Sequence, residues 1–145
     1  MPSFGTLKAD TLTHSTAGSL ATNYVVEGSA KMVTNYDHAS AVVRSSTNVS
    51  SVADDATGKF TISYTSSMND ANYSPSAVCL TDFNSNRAGN FVGLRITDNG
   101  IPNARSNAFA TGTLAIDTAY ASNGSSNAAA VDNDANCVQV FGDLA

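Results

Sequence analysis

Residues 59–65 read Lys-Phe-Thr-Ile-Ser-Tyr-Thr, an unbroken alternation of polar and apolar side chains. Phe60, Ile62 and Tyr64 fall on one face of an extended chain, and the polar residues fall on the other. A period of two residues is typical of a β-strand that buries one face and leaves the other in water. This stretch therefore predicts a half-buried strand.

The residues before this strand complete a β-hairpin. The range 48–52 reads as a shorter strand, and the cluster Asp-Asp-Ala-Thr-Gly follows at 54–58. Gly58 ends that cluster, where a turn needs the positive φ that glycine adopts at little cost. Strand, turn and strand together predict a hairpin.

The rest of the chain also favours strands over helices. Leu and Glu are scarce, whereas β-branched residues, Ser, Asn and Gly are frequent. No window of about 11 to 18 residues shows a helical apolar period. We therefore predict an all-β fold, an antiparallel β-sandwich forming a jelly-roll-like knob. Further strands are predicted over residues 30–34, 40–45, 76–80, 91–97, 108–116 and 137–141, and polar loops over 84–90 and 119–136.

Residues 1–25 predict an extended N-terminal arm ahead of a sandwich domain at residues 26–145. Apolar and polar residues alternate over 7–11, and the run Ser-Thr-Ala-Gly-Ser at 15–19 breaks the pattern. A short arm cannot bury its own apolar side chains, so we expect it to pair with a neighbouring subunit. The residues expected to anchor it are Leu7, Lys8, Asp10 and Leu12.

Charge and composition limit the classes of partner. Charged residues make up 13% of the chain, about half of the usual share, and the net charge is −5. Low charge is common on β-rich surfaces that pack against copies of themselves, where each charge would have to be desolvated or paired. The seven Lys and Arg residues are scattered, so neither nucleic acid nor an anionic membrane is an expected partner.

No signal-peptide pattern opens the sequence, and no apolar run approaches the ~20 residues that span a bilayer. We therefore expect a chain that is made and folded in a cytoplasm, without membrane insertion. Cys79 and Cys137 lie on separate apolar segments and are predicted to be buried, reduced thiols. A disulfide between them is the alternative, which their spacing does not indicate.

The sequence carries no motif for catalysis, a metal or a cofactor. There is no G-x-S-x-G, no C-x-x-C and no glycine-rich nucleotide loop. His14 and His38 are predicted to be surface residues. Residues 132–134 read as a solvated turn, because they lack the Gly and Glu of a calcium loop. We therefore predict a protein that is not an enzyme, with no catalytic residue, metal ligand or cofactor.

Two interpretations of the tyrosine residues stay open. The five tyrosines can belong to the core and to interfaces, or they can form a surface for a glycan. The chain has a single Glu, Glu27, and no Trp to stack on a sugar, which argues against a polysaccharide depolymerase and a secreted carbohydrate-binding module.

Three motifs follow one another closely in the centre of the chain. The three motifs are Asn-Val-Ser-Ser-Val-Ala-Asp at 48–54, Gly-Lys-Phe-Thr-Ile-Ser-Tyr at 58–64 and Met-Asn-Asp-Ala-Asn-Tyr at 68–73. This series closely resembles a repeated module of tail-fibre-like virion proteins, mostly from phages of cyanobacteria and other aquatic bacteria. The opening Gly-Thr-Leu-Lys-Ala-Asp-Thr-Leu at 5–12 resembles a segment that often starts such proteins.

The resemblance implies a virion component made of β-sandwich knobs, expected to be a homotrimer and assembled in the cytoplasm of a host bacterium. The module is structural and brings no catalytic residue with it. Within the module, Met68 and Tyr73 are expected to close the next connection over the buried face. The module residues are Asn48, Asp54, Gly58, Phe60, Ile62, Tyr64, Met68 and Tyr73.

Two positions on a phage particle fit this resemblance. The first is a short tail-fibre or spike-type subunit that contributes to host attachment and binds a host-surface glycan through exposed loops. The second is a capsid decoration protein, a cement or head fibre, that stabilises the phage head through the N-terminal arm. The chain is short for a fibre shaft and has no long repeat. The candidate contact residues in the loops are Asn84, Asn86, Arg87, Asn90, Asn123 and Asn127.

Overall fold

The computed structural model describes residues 10–15, 18–80, 87–94, 108–122 and 128–145. Most of these residues lie in antiparallel strands, which confirms the predicted all-β class. The elements are, in chain order, β1 (Thr11–His14), β2 (Gly18–Ala21), α1 (Thr22–Gly28), β3 (Ala30–Asp37), β4 (Val42–Thr47), β5 (Val49–Ala56), β6 (Lys59–Tyr64), β7 (Ser74–Cys79), β8 (Arg87–Leu94), β9 (Thr113–Ser122), β10 (Ala128–Ala130) and β11 (Asn136–Phe141).

Two sheets form the sandwich. The first, here the β11 sheet, has the strand order β4-β3-β11-β7. The second, here the β9 sheet, has β5 and β6 on one side of β9 and β8 on the other, and β10 continues along β9 beyond the end of β6. Since β5 and β6 pair antiparallel along most of their length, the predicted hairpin is confirmed.

The core lies between the two sheets and follows the alternation of their strands. In β6 every second residue is buried, and Phe60, Ile62 and Tyr64 point inward as predicted. In β3 the same period buries Met32, Thr34 and Tyr36 from the opposite sheet. The ring of Tyr36 lies 5.0 Å from the ring of Phe60. Aromatic contact across the sandwich therefore joins the sheets near the centre of the core.

Several predicted boundaries were wrong, although each predicted strand overlaps an observed one. The loop predicted over 84–90 is a strand from residue 87 onward. The loop predicted over 119–136 begins as the second half of β9 and includes β10, because Ala128–Ala130 pair with residues 119–121. The turn predicted over 54–58 is shorter, since β5 extends to Ala56.

The N-terminal residues form a small unit of their own. Strands β1 and β2 pair as a hairpin, and α1 follows directly, so the boundary predicted after residue 25 falls inside a helix. We call residues 10–15 and 18–28 the N-terminal unit. The helix was not predicted from the sequence, and its N-terminus has no side-chain cap. Among the described helices, none is long and apolar enough to cross a membrane.

Candidate functional site

The module residues that the sequence identified lie in the sandwich and hold its connections together. Asn48 adopts a φ of 57° between β4 and β5. Its side-chain oxygen accepts a hydrogen bond from the backbone N–H of Ser66 at 2.7 Å, and its amide nitrogen donates to the Ser66 carbonyl at 3.0 Å. Asn tolerates this left-handed conformation better than most residues. The pair of bonds fixes the entry to β5 against the end of β6.

Gly58 is the tightest backbone position of the hairpin. Its φ is +68°, and a Cβ built on it would lie 2.4 Å from the carbonyl oxygen of Thr118. Its N–H donates to the Oδ1 of Asp132 at 2.6 Å, and its carbonyl accepts from the N–H of Thr118 at 2.7 Å. The turn is therefore pressed against β9 and the segment that follows β10.

Met68 and Tyr73 are buried in the core, at 1% and 5% exposure. The hydroxyl of Tyr73 lies 3.0 Å from the carbonyl of Ala110 and 2.9 Å from that of Thr113, within donating distance of both. The backbone N–H of Met68 donates to the Thr111 carbonyl at 2.8 Å. These bonds tie the connection after β6 to the turn that precedes β9.

His38 is buried, and its prediction as a surface residue was wrong. The side chain is fully covered, and its ring lies 5.1 Å from Phe60 and 5.5 Å from Tyr36. Nε2 lies 3.2 Å from Oδ1 of Asp54, within hydrogen-bond distance, whereas Nδ1 lies 3.4 Å from Oδ1 of Asp132 and makes no hydrogen bond within the part of the chain that the structure describes. The imidazole therefore connects the end of β3 to β5 and to the segment after β10.

Residues 132–134 are not a solvated turn throughout. Asn133 is 2% exposed, and its carbonyl accepts a hydrogen bond from the backbone N–H of His38 at 3.0 Å. Asp132 points at His38 and Gly58. Burial, followed by the nearby carboxylates of Asp54 and Asp132, raises the pKa of Tyr36. Because the imidazole of His38 is fully buried, a substrate in solution cannot reach it. The contacts of His38 with Asp54 and Asp132 therefore stabilise the packing of their segments against one another.

Asp37 closes the same end of the sandwich on the outside. Its Oδ2 accepts a hydrogen bond from the Arg44 guanidinium at 2.7 Å, and its Oδ1 accepts one from the N–H of Ser40 at 3.0 Å. The Ser40 N–H, and to a smaller extent Arg44, lower the pKa of this carboxyl, although burial opposes them. Asp37 thereby holds the tight turn that leads from β3 into β4.

The N-terminal unit carries exposed apolar side chains on its hairpin and on its helix. Leu12 and Leu20 face each other across the β1–β2 hairpin and are 41% and 47% exposed. On α1, Tyr24, Val25 and Val26 are 64%, 43% and 56% exposed. A two-stranded hairpin is at best marginally stable alone in water. Large apolar side chains that remain this exposed on neighbouring elements are typical of a surface that binds another protein.

Of the other predicted anchoring residues, Asp10 is exposed at the start of the hairpin, and its carbonyl accepts a hydrogen bond from the N–H of Thr22 at 3.0 Å. Arg87 and Asn90 lie in β8, so their assignment to a loop was wrong. The remaining predicted contact and anchoring residues lie outside the described residues; they are Leu7, Lys8, Asn84, Asn86, Asn123 and Asn127.

The two cysteines lie on neighbouring strands but on opposite faces of the β11 sheet. Cys137 pairs with Val78, whereas Cys79 pairs with the buried Asn136. Both thiols are free, as predicted, but each is only partly buried. Burial raises the pKa of the Cys79 thiol. Because their side chains point to opposite faces, the two sulfur atoms cannot form a disulfide in this fold.

Within the described ranges, no group of three or more His, Cys, Asp or Glu side chains is placed to hold a metal ion. No family model, curated protein or solved structure matches the chain.

Proposed function

We propose that this protein is a structural subunit of a phage virion that assembles with copies of itself, as a short tail-fibre or spike-type protein that contributes to host attachment. The resemblance of residues 48–73 to the virion module supports the setting. The buried positions of Phe60, Ile62 and Tyr64 agree with a module whose pattern serves packing. The proposal assigns the protein no chemical reaction.

The exposure of apolar side chains on the N-terminal unit is the observation that supports self-assembly. Its five large apolar side chains are 41–64% exposed, so burying what remains exposed would gain roughly 0.6–2 kcal/mol for each, which a solitary subunit leaves unused. The residues concerned are Leu12, Leu20, Tyr24, Val25 and Val26. An oligomer covers such surfaces without lengthening the chain, and the low charge of the sequence reduces the cost of bringing copies together.

A capsid decoration protein is the second candidate. The same N-terminal unit favours it, because an exposed hairpin and helix can bind a capsid shell as well as a second copy. In that position the sandwich would face outward and the N-terminal unit would hold it to the head. The two candidates differ in number of copies: a decoration protein covers a shell, whereas a tail fibre is present in a few copies.

Two measurements test the proposal. Sedimentation velocity of the purified chain tests self-assembly, and we expect an oligomer. Quantitative gel densitometry of purified phage particles tests the setting: hundreds of copies indicate the capsid, and tens or fewer indicate the tail. A chain that stays monomeric at all accessible concentrations, or that is absent from purified particles of the phage encoding it, would contradict the proposal.

A further inference from the structure

Charged residues are placed differently on the outward faces of the two sheets. On the β9 sheet, Lys59 lies opposite Asp117, and the hydroxyl of Thr61 donates to Asp55 at 2.7 Å. On the β11 sheet, two rows of side chains cross all four strands between the charged residues at its ends. The side chains in these two rows carry no charge. One row consists of Thr47, Val33, Gln139 and Ser76, and the other of Ser45, Asn35, Cys137 and Val78.

We call these eight residues the neutral face. It continues on its β7 side into Leu80, which follows the outward-pointing Val78 after one intervening residue. Val78 is 63% exposed and Leu80 is 66% exposed. The charges at its two ends are already engaged: Lys31 donates to the Val26 carbonyl and to Ser29, and Asp37 binds Arg44.

We propose that the neutral face receives the N-terminal unit of a second copy of the chain. The proposal rests on the proposed self-assembly and names its two contacting surfaces. Each copy exposes apolar side chains on β1, β2 and α1 and a second, uncharged surface on the β11 sheet. Within one copy the large apolar side chains of the N-terminal unit are exposed, and so are five of the eight residues of the neutral face, whereas Val33, Asn35 and Cys137 are partly buried. The simplest way to cover both is to bring them together between copies.

Charge on the two surfaces does not oppose the approach of a second copy. The chain has a net charge of −5, so two copies repel each other wherever carboxylates meet. The neutral face has no carboxylate and avoids that repulsion. The N-terminal unit has only two carboxylates, Asp10 and Glu27. Glu27 lies on the side of α1 that borders Gly142 and Asp143 of its own sandwich.

The area available fits a contact that is repeated around a ring. Four strands at ~4.8 Å spacing and about four residues of ~3.3 Å give a face of roughly 250 Å². A standard interface takes about 800 Å² from each partner, so one such contact alone is small. However, a head-to-tail contact between two different surfaces repeats from copy to copy, and it closes into a ring if the rotation allows. Ring closure then adds the contacts together.

Two variants of the full chain, each disabled on one surface, test the inference. Val78→Asp places a carboxylate on the neutral face at an exposed position. Tyr24→Asp places one on the N-terminal unit, in the first turn of α1, where a negative charge favours the helix. Ser51→Asp is the matched control, because Ser51 is exposed on the outward face of the other sheet. Circular dichroism establishes that each variant is folded, and Leu80→Asp serves as a second variant of the neutral face.

We expect the wild-type chain and Ser51→Asp to associate equally in sedimentation velocity at concentrations up to about 100 µM. Val78→Asp and Tyr24→Asp should each associate at least about tenfold more weakly. An equimolar mixture of the two should form a one-to-one dimer, since one supplies an intact N-terminal unit and the other an intact neutral face.

Three results would overturn the inference. If Val78→Asp or Tyr24→Asp associates as the wild type does, self-assembly stands but uses another surface. If both variants are monomers and their mixture stays monomeric, the two surfaces do not meet each other. If the wild-type chain itself is a monomer, the inference and the proposed self-assembly fail together.

Discussion

Replacing Gly58 by alanine tests the packing of the hairpin turn against β9. Glycine holds a φ of +68° there, and a left-handed conformation costs an alanine about 1–2 kcal/mol. The added Cβ would also lie 2.4 Å from the Thr118 carbonyl oxygen and 2.9 Å from the backbone nitrogen of Val131. Both atoms are backbone, so relieving the overlap must move a strand, at about 1–3 kcal/mol. We expect a total loss of about 2–5 kcal/mol in the free energy of unfolding.

Urea denaturation followed by circular dichroism measures this loss, with equal slopes showing that the unfolded states are comparable. Gly112→Ala is the matched control, because among the described residues a Cβ at Gly112 meets only the Ser67 hydroxyl, at 3.8 Å. We expect that control to change stability by less than about 0.5 kcal/mol.

Gly58→Asn separates the two causes. Asn tolerates a left-handed φ better than Ala does, but it carries the same Cβ. If the overlap with Thr118 dominates, Asn and Ala will be similarly destabilising. If conformation dominates, Asn will recover most of the loss. A Gly58→Ala chain as stable as Gly112→Ala would refute the reasoning, because the turn would then not be pressed against β9.

Further predictions concern the core, the buried imidazole of His38 and the carboxylate of Asp37. Ile62→Ala should lose about 2–5 kcal/mol in urea denaturation, whereas Ser63→Ala on the outward side of β6 should lose less than about 0.5 kcal/mol; equal losses would contradict the assigned faces. His38→Ala should lower the melting temperature by roughly 5–15 °C in calorimetry, because it leaves a cavity against Phe60 and unfastens two segments, and an unchanged melting temperature would exclude that role. Asp37→Asn should destabilise the chain at neutral pH and match the wild type in acid. The lowered pKa of Asp37 means that its contribution is present above about pH 4 and is lost as the pH falls further; a gap that persists at pH 2 would contradict it.

Local alternation was enough to predict the central part of the fold. The pattern around Phe60 needs only its neighbours in sequence to show which side is buried, and the hairpin turn at Gly58 is likewise encoded within a few residues. The loop predicted over 119–136 failed for the opposite reason. Its Ala and Ser residues have weak strand preference, and they pair because β8, β9 and β10 lie side by side in the folded sheet.

The environment of His38 could not be predicted from the sequence. Its carboxylate neighbours, Asp54 and Asp132, lie far along the chain on other elements, so no local pattern connects the three residues. The short helix α1 was missed because Thr, Asn, Val and Gly are weak helix formers and no capping residue marks its start. The neutral face could not be predicted without the strand register. The register shows which residues form the outward rows only once β11 is placed between β3 and β7.

The position of β11 makes synthesis through residue 141 a condition for forming its sheet. Strand β11 lies between β3 and β7, and among the described strands it alone joins the two in one sheet. During synthesis, both strands emerge from the ribosome well before their common partner exists, and the inward row of Val138 and Val140 is still missing from the core. A message truncated before residue 136 would therefore yield a sandwich with one sheet split in two. Chains that end before residue 136 would thus lack the neutral face on which the proposed self-assembly depends.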